Sequence, residues 1–315
     1  MPDKKNRIKT SPIDKRKSKV SVSDFAKAPK AGQNFSQFLD SLPAILAGND
    51  LKEIIAKVIA AHKKRKGVII SIGAHVIKCG LALPLNKLIE KGVITAVCLN
   101  GACLIHDFEI ALFGKTSEDV GQSLHKGTFG MAEETGNLLN QVINKGVLDG
   151  FGLAESVSNY ILESQPKYLN YSLLGAIAKY KIPVSAHVAI GTDIIHMHPG
   201  ADGAMIGMGS LRDFHKFTNQ VLTINGGGVY FNIGSAVILP EVFLKAFSTL
   251  VNQGHCLEDF ITVNMDFIKH YRPMQNVVSR PTKGRGKGYS LIGHHELLIP
   301  MLAAGIIEGI EKNET

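Results

Sequence analysis

Several familiar signatures are missing from this 315-residue chain. No apolar run reaches the ~18 residues that a membrane-spanning helix needs, so no bilayer span is expected. The Lys- and Arg-rich start is not followed by an apolar segment, so it does not read as a secretory leader. The four cysteines, Cys79, Cys98, Cys103 and Cys256, include no Cys-x-x-Cys pair, which fits a cytoplasmic protein with reduced thiols. The Gly-x-Gly-x-x-Gly dinucleotide fingerprint is absent. Residues 1–20 hold eight Lys or Arg against two Asp and so carry six of the eight net positive charges. No basic motif with interleaved aromatics follows in the body, so nucleic acid is not an expected partner.

What is present is an apolar, glycine-rich chain. With 45% hydrophobic residues and 32 glycines, it is long enough to bury a large core between many loops. Residues 1–30 read as a basic, disordered tail and 31–315 as one domain. Phe35 to His62 spaces its apolar residues at three and four, a helical pattern. Gly67 to Ile72 (GVIISI) reads as a buried strand, Val76 to Lys91 as a helix stopped at Gly92, and Ile94 to Leu99 as a second strand. A strand, a short crossover and another strand favour parallel pairing. Helices dominate from Phe108 to Lys181. Strands are expected at Ile182–Ile190, Asn219–Asn225 and Phe260–Met265, and a last helix at Glu296–Glu311. This alternation predicts an α/β fold: a Rossmann-like, doubly wound, mostly parallel sheet with flanking helices.

Ligands of such sheets bind outside the carboxyl ends of the strands, so residues that follow predicted strands are the candidates. Gly73 to Gly80 (GAHVIKCG) follows the first strand and opens a helix, whose free N–H groups suit a phosphate. Asn100, Gly101 and Ala102 follow the second strand, with His106, Asp107 and Glu109 just beyond. Asp193 follows the third. His196 and His198 form a His-x-His pair, but no further pattern completes a zinc set, so no metal is expected. Gly226, Gly227 and Gly228 close the expected fourth strand, and three glycines in a row point to close backbone approach. Lys283 and Lys287 lie in the basic segment Arg280 to Gly288, where neighbouring cations favour a lysine amine that can form an imine. His294, His295 and Glu296 precede the last helix.

Five of these segments, GAHVIKCG, VCLNGACLIHDFEIALFGKTSEDV, GTDIIHMHP, INGGGV and HHELLIPML, occur in the order found in the deoxyhypusine synthase family. The chain resembles a divergent, bacterial-type member of that family over roughly residues 65–305. The resemblance implies NAD as cofactor, contacted by Ala74, His75, Val76, Ile77 and Lys78, by Asn100, Gly101 and Ala102, by Gly226, Gly227 and Gly228, and by His294 and His295. It implies that Asp107, Asp193 and Lys283 bind a polyamine such as spermidine. Lys287, with Lys283 in reserve, would be the nucleophile and His106 or Asp107 the proton acceptor, and Asn232 stands where the family has an active-site histidine. The implied reaction oxidises spermidine, passes its aminobutyl group to the lysine as an imine, and delivers it to an amine acceptor, a protein lysine or a small polyamine. A homotetramer is implied as well. The chain departs from the family at His106, usually a glutamate, at Asn232, and in having no Trp before the lysine. Those departures sustain an alternative: an NAD-binding homologue without group transfer, redox-only or inactive.

Overall fold

The computed structural model describes residues 8–312. Residues 1–7 of the expected tail lie outside the described residues, and 8–30 run as exposed chain with short 3-10 turns at Ile13–Lys15 and Val22–Asp24. The elements that follow are α1 (Phe35–Ser41), α2 (Leu46–Lys63), β1 (Val68–Ile72), α3 (Ala74–Lys78), α4 (Ala82–Glu90), β2 (Ala96–Asn100), α5 (Gly101–Phe113), α6 (Val120–Leu124), α7 (Leu139–Leu148), α8 (Leu153–Ser164), α9 (Leu173–Lys179), β3 (Val184–His187), α10 (Gly203–Val221), β4 (Val229–Ile233), α11 (Ile238–Asn252), β5 (Phe260–Asp266), α12 (Tyr271–Pro273), β6 (Gly286–Ile292) and α13 (His295–Glu311). Among the described residues no helix is long and apolar enough to cross a membrane.

All six strands are parallel, in the order β3-β2-β1-β4-β5-β6. This is a doubly wound, Rossmann-like sheet. Side chains alternate across each strand, so Ile70 and Ile72 of β1 face one helical layer and Ile69 the other. The first layer holds α2 to α5, α7 to α9 and α13; the second holds α10, α11 and the segment around Val277. Burial on both faces explains why β1 is apolar at every position but Ser71. In the second layer Tyr230 of β4 stacks on Phe243 of α11 at 3.7 Å between ring centres.

The direction of winding reverses between β1 and β4. From β1 the chain moves out through β2 to β3, then returns along α10 to place β4 on the other side of β1. A crevice opens at the carboxyl ends of two such strands, and doubly wound sheets bind ligands there.

Several expected elements change. The strand at Asn219–Asn225 does not form: α10 continues to Val221, a 3-10 turn follows to Ile224, and the strand begins only at Val229. Gly226 and Gly227 take positive φ (77° and 115°), which turns the chain into β4. The expected 76–91 helix breaks at Gly80 (φ 71°) into α3 and α4. The expected 35–62 helix breaks at the Leu42–Pro43 step, where the residue before a proline favours extended backbone. Residues 286–288 of the basic segment form the start of β6, where no strand is expected.

Candidate active site at the carboxyl edge of the sheet

A glycine follows each of β1 and β4. Gly73 N–H donates to Ile233 O at 2.8 Å, and a Cβ on Gly73 would lie 2.1 Å from Gly234 O. The two turns therefore pack backbone to backbone. From them α3 leaves on one face of the sheet and α11 on the other. α11 spans 15 residues; in its first turn Ser235 Oγ takes up Leu239 N–H and Pro240 has no N–H, which leaves the Ile238 N–H. That N–H and the positive end of the helix dipole suit a phosphate. The next strand, β5, ends in Asp266, whose Oδ1 accepts Phe267 N–H.

Beneath this edge a row of polar side chains crosses the whole sheet. Ser185, Cys98, Ser71, Asn232, Asn264 and Ser290 are register partners on successive strands. Asn232 donates through Nδ2 to Ser235 O (2.9 Å) and to Asn264 Oδ1 (2.8 Å). It is fully buried, so it holds the turn after β4 and does not reach substrate in the way expected of a catalytic residue.

Two side-chain groups line the edge. The first lies beyond β2 and β3. Asn100 caps α5 through Cys103 N–H. Gly101 is the first residue of α5, and a Cβ there would sit 2.1 Å from Asp193 Oδ2, an oxygen that is buried without a hydrogen-bond partner. Burial pushes the Asp193 carboxyl up, opposed by the nearby imidazoles of His196 and His106. His106 Nδ1 lies 2.6 Å from Thr116 Oγ1. Thr116 donates its one proton to Glu109 Oε2 (2.5 Å), and Thr135 donates to Glu109 Oε1 (2.8 Å). The Thr116 oxygen must therefore accept from His106 Nδ1–H, which leaves Nε2 as the imidazole's acceptor nitrogen. Burial raises the Glu109 carboxyl, but hydrogen bonds from His106, Thr116 and Thr135 outweigh it, and the net shift is downward. A cleft of about 500 Å³ opens beside Glu109, Thr116 and Thr135.

The second group lies beyond β1 and β6. His75 and Cys79 share a face at the two ends of α3, with His75 Nε2 3.3 Å from Cys79 Sγ. Glu296, in the first turn of α13, brings Oε2 to 4.0 Å from the same sulfur. The ring of His295 lies 5.5 Å from that of His75, and Phe267 lies 5.9 Å from His75 and 6.4 Å from His295. Burial, then the Glu296 carboxylate, push the Cys79 thiol up, so nothing here makes it a ready nucleophile.

The remaining candidates fall elsewhere. Gly226, Gly227 and Gly228 lie at the amino edge, where Gly226 and Gly227 donate to Glu258 O and Asp259 O. They serve the turn into β4 and are remote from the carboxyl ends. Lys287 pairs with Ile261 at the start of β6, also at the amino edge. Its ammonium is 2.5 Å from Glu53 Oε2 and 4.6 Å from the Tyr289 ring centre. The bond to Glu53 raises its pKa, the reverse of what an imine-forming amine needs. Lys283 is exposed in the turn that precedes β6. Asp107 is fully buried: Oδ1 accepts Leu173 N–H, and Oδ2 accepts Ser172 Oγ and Leu174 N–H. It caps α9 and is closed to substrate. Neighbours on a helix point ~100° apart, which is why His106 faces the edge while Asp107 faces inward. Val76 and Ile77 are buried in the core, while Ala74 is half-buried and His75 and Lys78 are exposed. Ala102 is half-buried after Gly101, and His294 is exposed beside Glu296. His196 and His198 do not converge: His196 Nδ1 accepts Gly191 N–H, and His198 Nε2 lies 2.7 Å from Gly130 O. The expectation missed Gly234 and Ser235, whose small-residue signal followed a misplaced strand, and Glu296 as a partner of Cys79.

No protein-family model matches the chain, and no curated protein matches it. Solved structures share its fold. AgrE, in a ternary complex with ornithine and NAD+, superposes with a TM-score of 0.54 at 13% identity over 83% of this chain and 33% of that one. A LOR/SDH-type protein from Methanococcus maripaludis gives 0.52 at 15% identity, over 94% and 74%. A protein from Entamoeba histolytica described as a deoxyhypusine synthase gives 0.50 at 10% identity, over 88% and 94%. The chain spans about a third of the length of AgrE and of the cyanobacterial arginine dihydrolase ArgZ. At these identities the likeness is one of fold, and it is not specific to the deoxyhypusine synthases.

Proposed function

We propose that this chain is an NAD-dependent enzyme that oxidises an amine-bearing substrate at the carboxyl edge of its sheet. The observation that carries the reading is the β1/β4 reversal, where the glycine turns that follow the two strands meet beside the N-terminus of α11. The residues present fit a dinucleotide. The N-terminus of α11 suits the phosphates, and Asp266 at the end of β5 stands where an acid accepts ribose hydroxyls in such units. Bound there, the cofactor supplies a hydride acceptor. The chain's own part is to hold an ammonium and to take up a proton. Asp193, with its unpartnered buried oxygen, suits the ammonium. His106 Nε2 suits the proton, with the ring oriented by Thr116 and Glu109. AgrE, a fold neighbour, is described with ornithine and NAD+, which is compatible with an amine substrate.

Aminobutyl transfer from spermidine is the finer form of this reading. It needs an imine-forming lysine near the site, and within one chain Lys287 and Lys283 lie at the other edge of the sheet. Oxidation without transfer is therefore the form we favour.

The test is a Val237→Asp variant. Val237 is 47% exposed and a carboxylate at a helix N-terminus is favoured by the dipole, so the fold should be kept, while its charge opposes a phosphate at α11. NAD affinity measured by calorimetry should fall at least tenfold. Unchanged affinity, or no NAD binding by wild type, overturns the reading. Incubation with NAD and spermidine or ornithine, followed by borohydride reduction and peptide mapping, separates the two forms. Substrate-dependent NADH without a lysine adduct supports oxidation alone, and an aminobutyl-lysine supports transfer.

A further inference from the structure

We infer that His75, Cys79 and Glu296 form a binding site for a divalent transition-metal ion of the zinc class. The three side chains come from two helices that follow strands at different places in the sheet, α3 after β1 and α13 after β6. Two strands, β4 and β5, separate β1 from β6. At ~4.8 Å per step, that places the strand ends roughly 14 Å apart. The groups meet only because α13 turns back over the sheet towards α2 and α4.

The donor set has the right chemistry. Imidazole, thiolate and carboxylate are the three ligand types that zinc takes, and together the anionic pair balances a divalent charge. His75 and Cys79 are four residues apart, the spacing that puts two ligands on one helical face. The ligand atoms of all three residues lie within 4.8 Å of one another. Tetrahedral bonds of zinc to nitrogen, oxygen and sulfur put donor atoms about 3.3–3.6 Å apart. The His75–Cys79 separation of 3.3 Å already meets this, and the Cys79–Glu296 separation of 4.0 Å needs only a small turn of a half-exposed carboxylate.

The surroundings support the same assignment. The His75 ring lies against Phe267 and His295, the three rings forming a near-equilateral cluster. His294 Nδ1 lies 3.7 Å from Glu296 Oε1, on the carboxylate oxygen that does not face the thiol. Such outer partners orient ligands and raise affinity. His295 is 1% exposed, and its Nδ1 is buried with no hydrogen-bond partner, an orphaned donor or acceptor beside the cluster. Three protein ligands leave one position open, the arrangement of sites that bind water or substrate at the metal. The assignment does not rest on the dinucleotide reading.

The experiment uses full-length protein with Cys256, the exposed cysteine, changed to Ser. The protein is stripped with chelator and titrated with Co(II) and then with Zn(II). One equivalent of Co(II) should bind with a thiolate-to-cobalt charge-transfer band, and Zn(II) should displace it. Cys79→Ser should abolish the band. His75→Ala and Glu296→Gln should each weaken Zn(II) binding by at least 10- to 100-fold, and His294→Ala by less. Circular dichroism checks that each variant is folded. Absence of stoichiometric uptake overturns the site. So does a cobalt band that survives Cys79→Ser, or binding indifferent to Glu296→Gln. Since no nucleotide is present, failure here leaves the NAD proposal standing.

Discussion

Gly73 and Gly234 meet so closely that a single methyl group on Gly73 would lie 2.1 Å from the carbonyl oxygen of Gly234. The contact is backbone to backbone, so no side-chain rotation relieves it. It fixes the two turns that open the crevice between β1 and β4.

Gly73→Ala should therefore destabilise the protein by roughly 2–4 kcal/mol, the range of severe overpacking. Its φ of −85° is ordinary for any residue, so the cost is one of space alone. Gly203 at the start of α10 has nothing within 4 Å of its Cβ position. Gly203→Ala should be neutral or stabilising by up to about 1 kcal/mol. Urea unfolding of the two variants measures the contrast, and equal effects would refute the packing argument.

Asp107→Ala should cost stability before it costs anything else. The carboxylate accepts two backbone N–H groups of α9 and the Ser172 hydroxyl, all buried. Their loss leaves several donors unpaired, at about 1–3 kcal/mol each. A fall in thermal midpoint of many degrees is expected, with Asp107→Asn milder because one oxygen remains. A variant of wild-type stability with weakened substrate binding would restore Asp107 to the site.

Asp213 should give stability an inverse dependence on pH. It is buried on α10, where Oδ2 accepts Ala186 N–H (2.8 Å) and Ala154 N–H (3.1 Å), while Oδ1 has no partner. Burial pushes its pKa up to about 7, against these hydrogen bonds. Between pH ~4 and 7 the folded protein holds a proton that the unfolded chain releases, so this term falls as pH rises, by up to about 4 kcal/mol. His187 opposes it: burial lowers its pKa to about 4, so its term improves as pH rises from about 4 to 6.5. In Asp213→Asn the amide oxygen keeps both N–H bonds and the charge is gone. The variant should gain on wild type steadily from pH 4 to 7 in chemical denaturation. A constant difference across that range would exclude the mechanism.

Lys287→Ala should leave both stability and NAD binding nearly intact. Its side chain and that of Glu53 are 58% and 39% exposed, and exposed pairs contribute about 0–1 kcal/mol. Activity lost without loss of fold or NAD affinity would reinstate Lys287 as nucleophile and overturn the placement argued above.

How much of this was legible along the chain depends on the range of the forces involved. Val68–Ile72 and Phe260–Asp266 announce themselves because strands buried on both faces are rich in apolar and β-branched residues. The Gly226–Gly228 strand end was misjudged because an apolar run at the end of α10 resembles a strand until its continuation from the helix is known. β6 went unseen because its first residues, Gly286 to Gly288, carry no apolar signal; neighbouring β5 supplies the pairing. Asp107 and Asp193 look alike in sequence, yet one caps α9 and the other keeps an unpaired oxygen, a difference made by residues 65–67 positions away.

The sequence by itself determined the parallel α/β class, the positions of β1, β2, β3 and β5 along the chain and the turns at Gly73 and Asn100, because apolar periodicity and small-residue turns are local properties. Tertiary structure alone decided which edge of the sheet each candidate occupies. Strand direction and order, not residue type, set Lys287 and the three glycines at one edge and His106, Asp193 and His75 at the other. It alone brought Cys79 within 4.0 Å of Glu296 across 217 positions, since only the return of α13 over the sheet closes that distance.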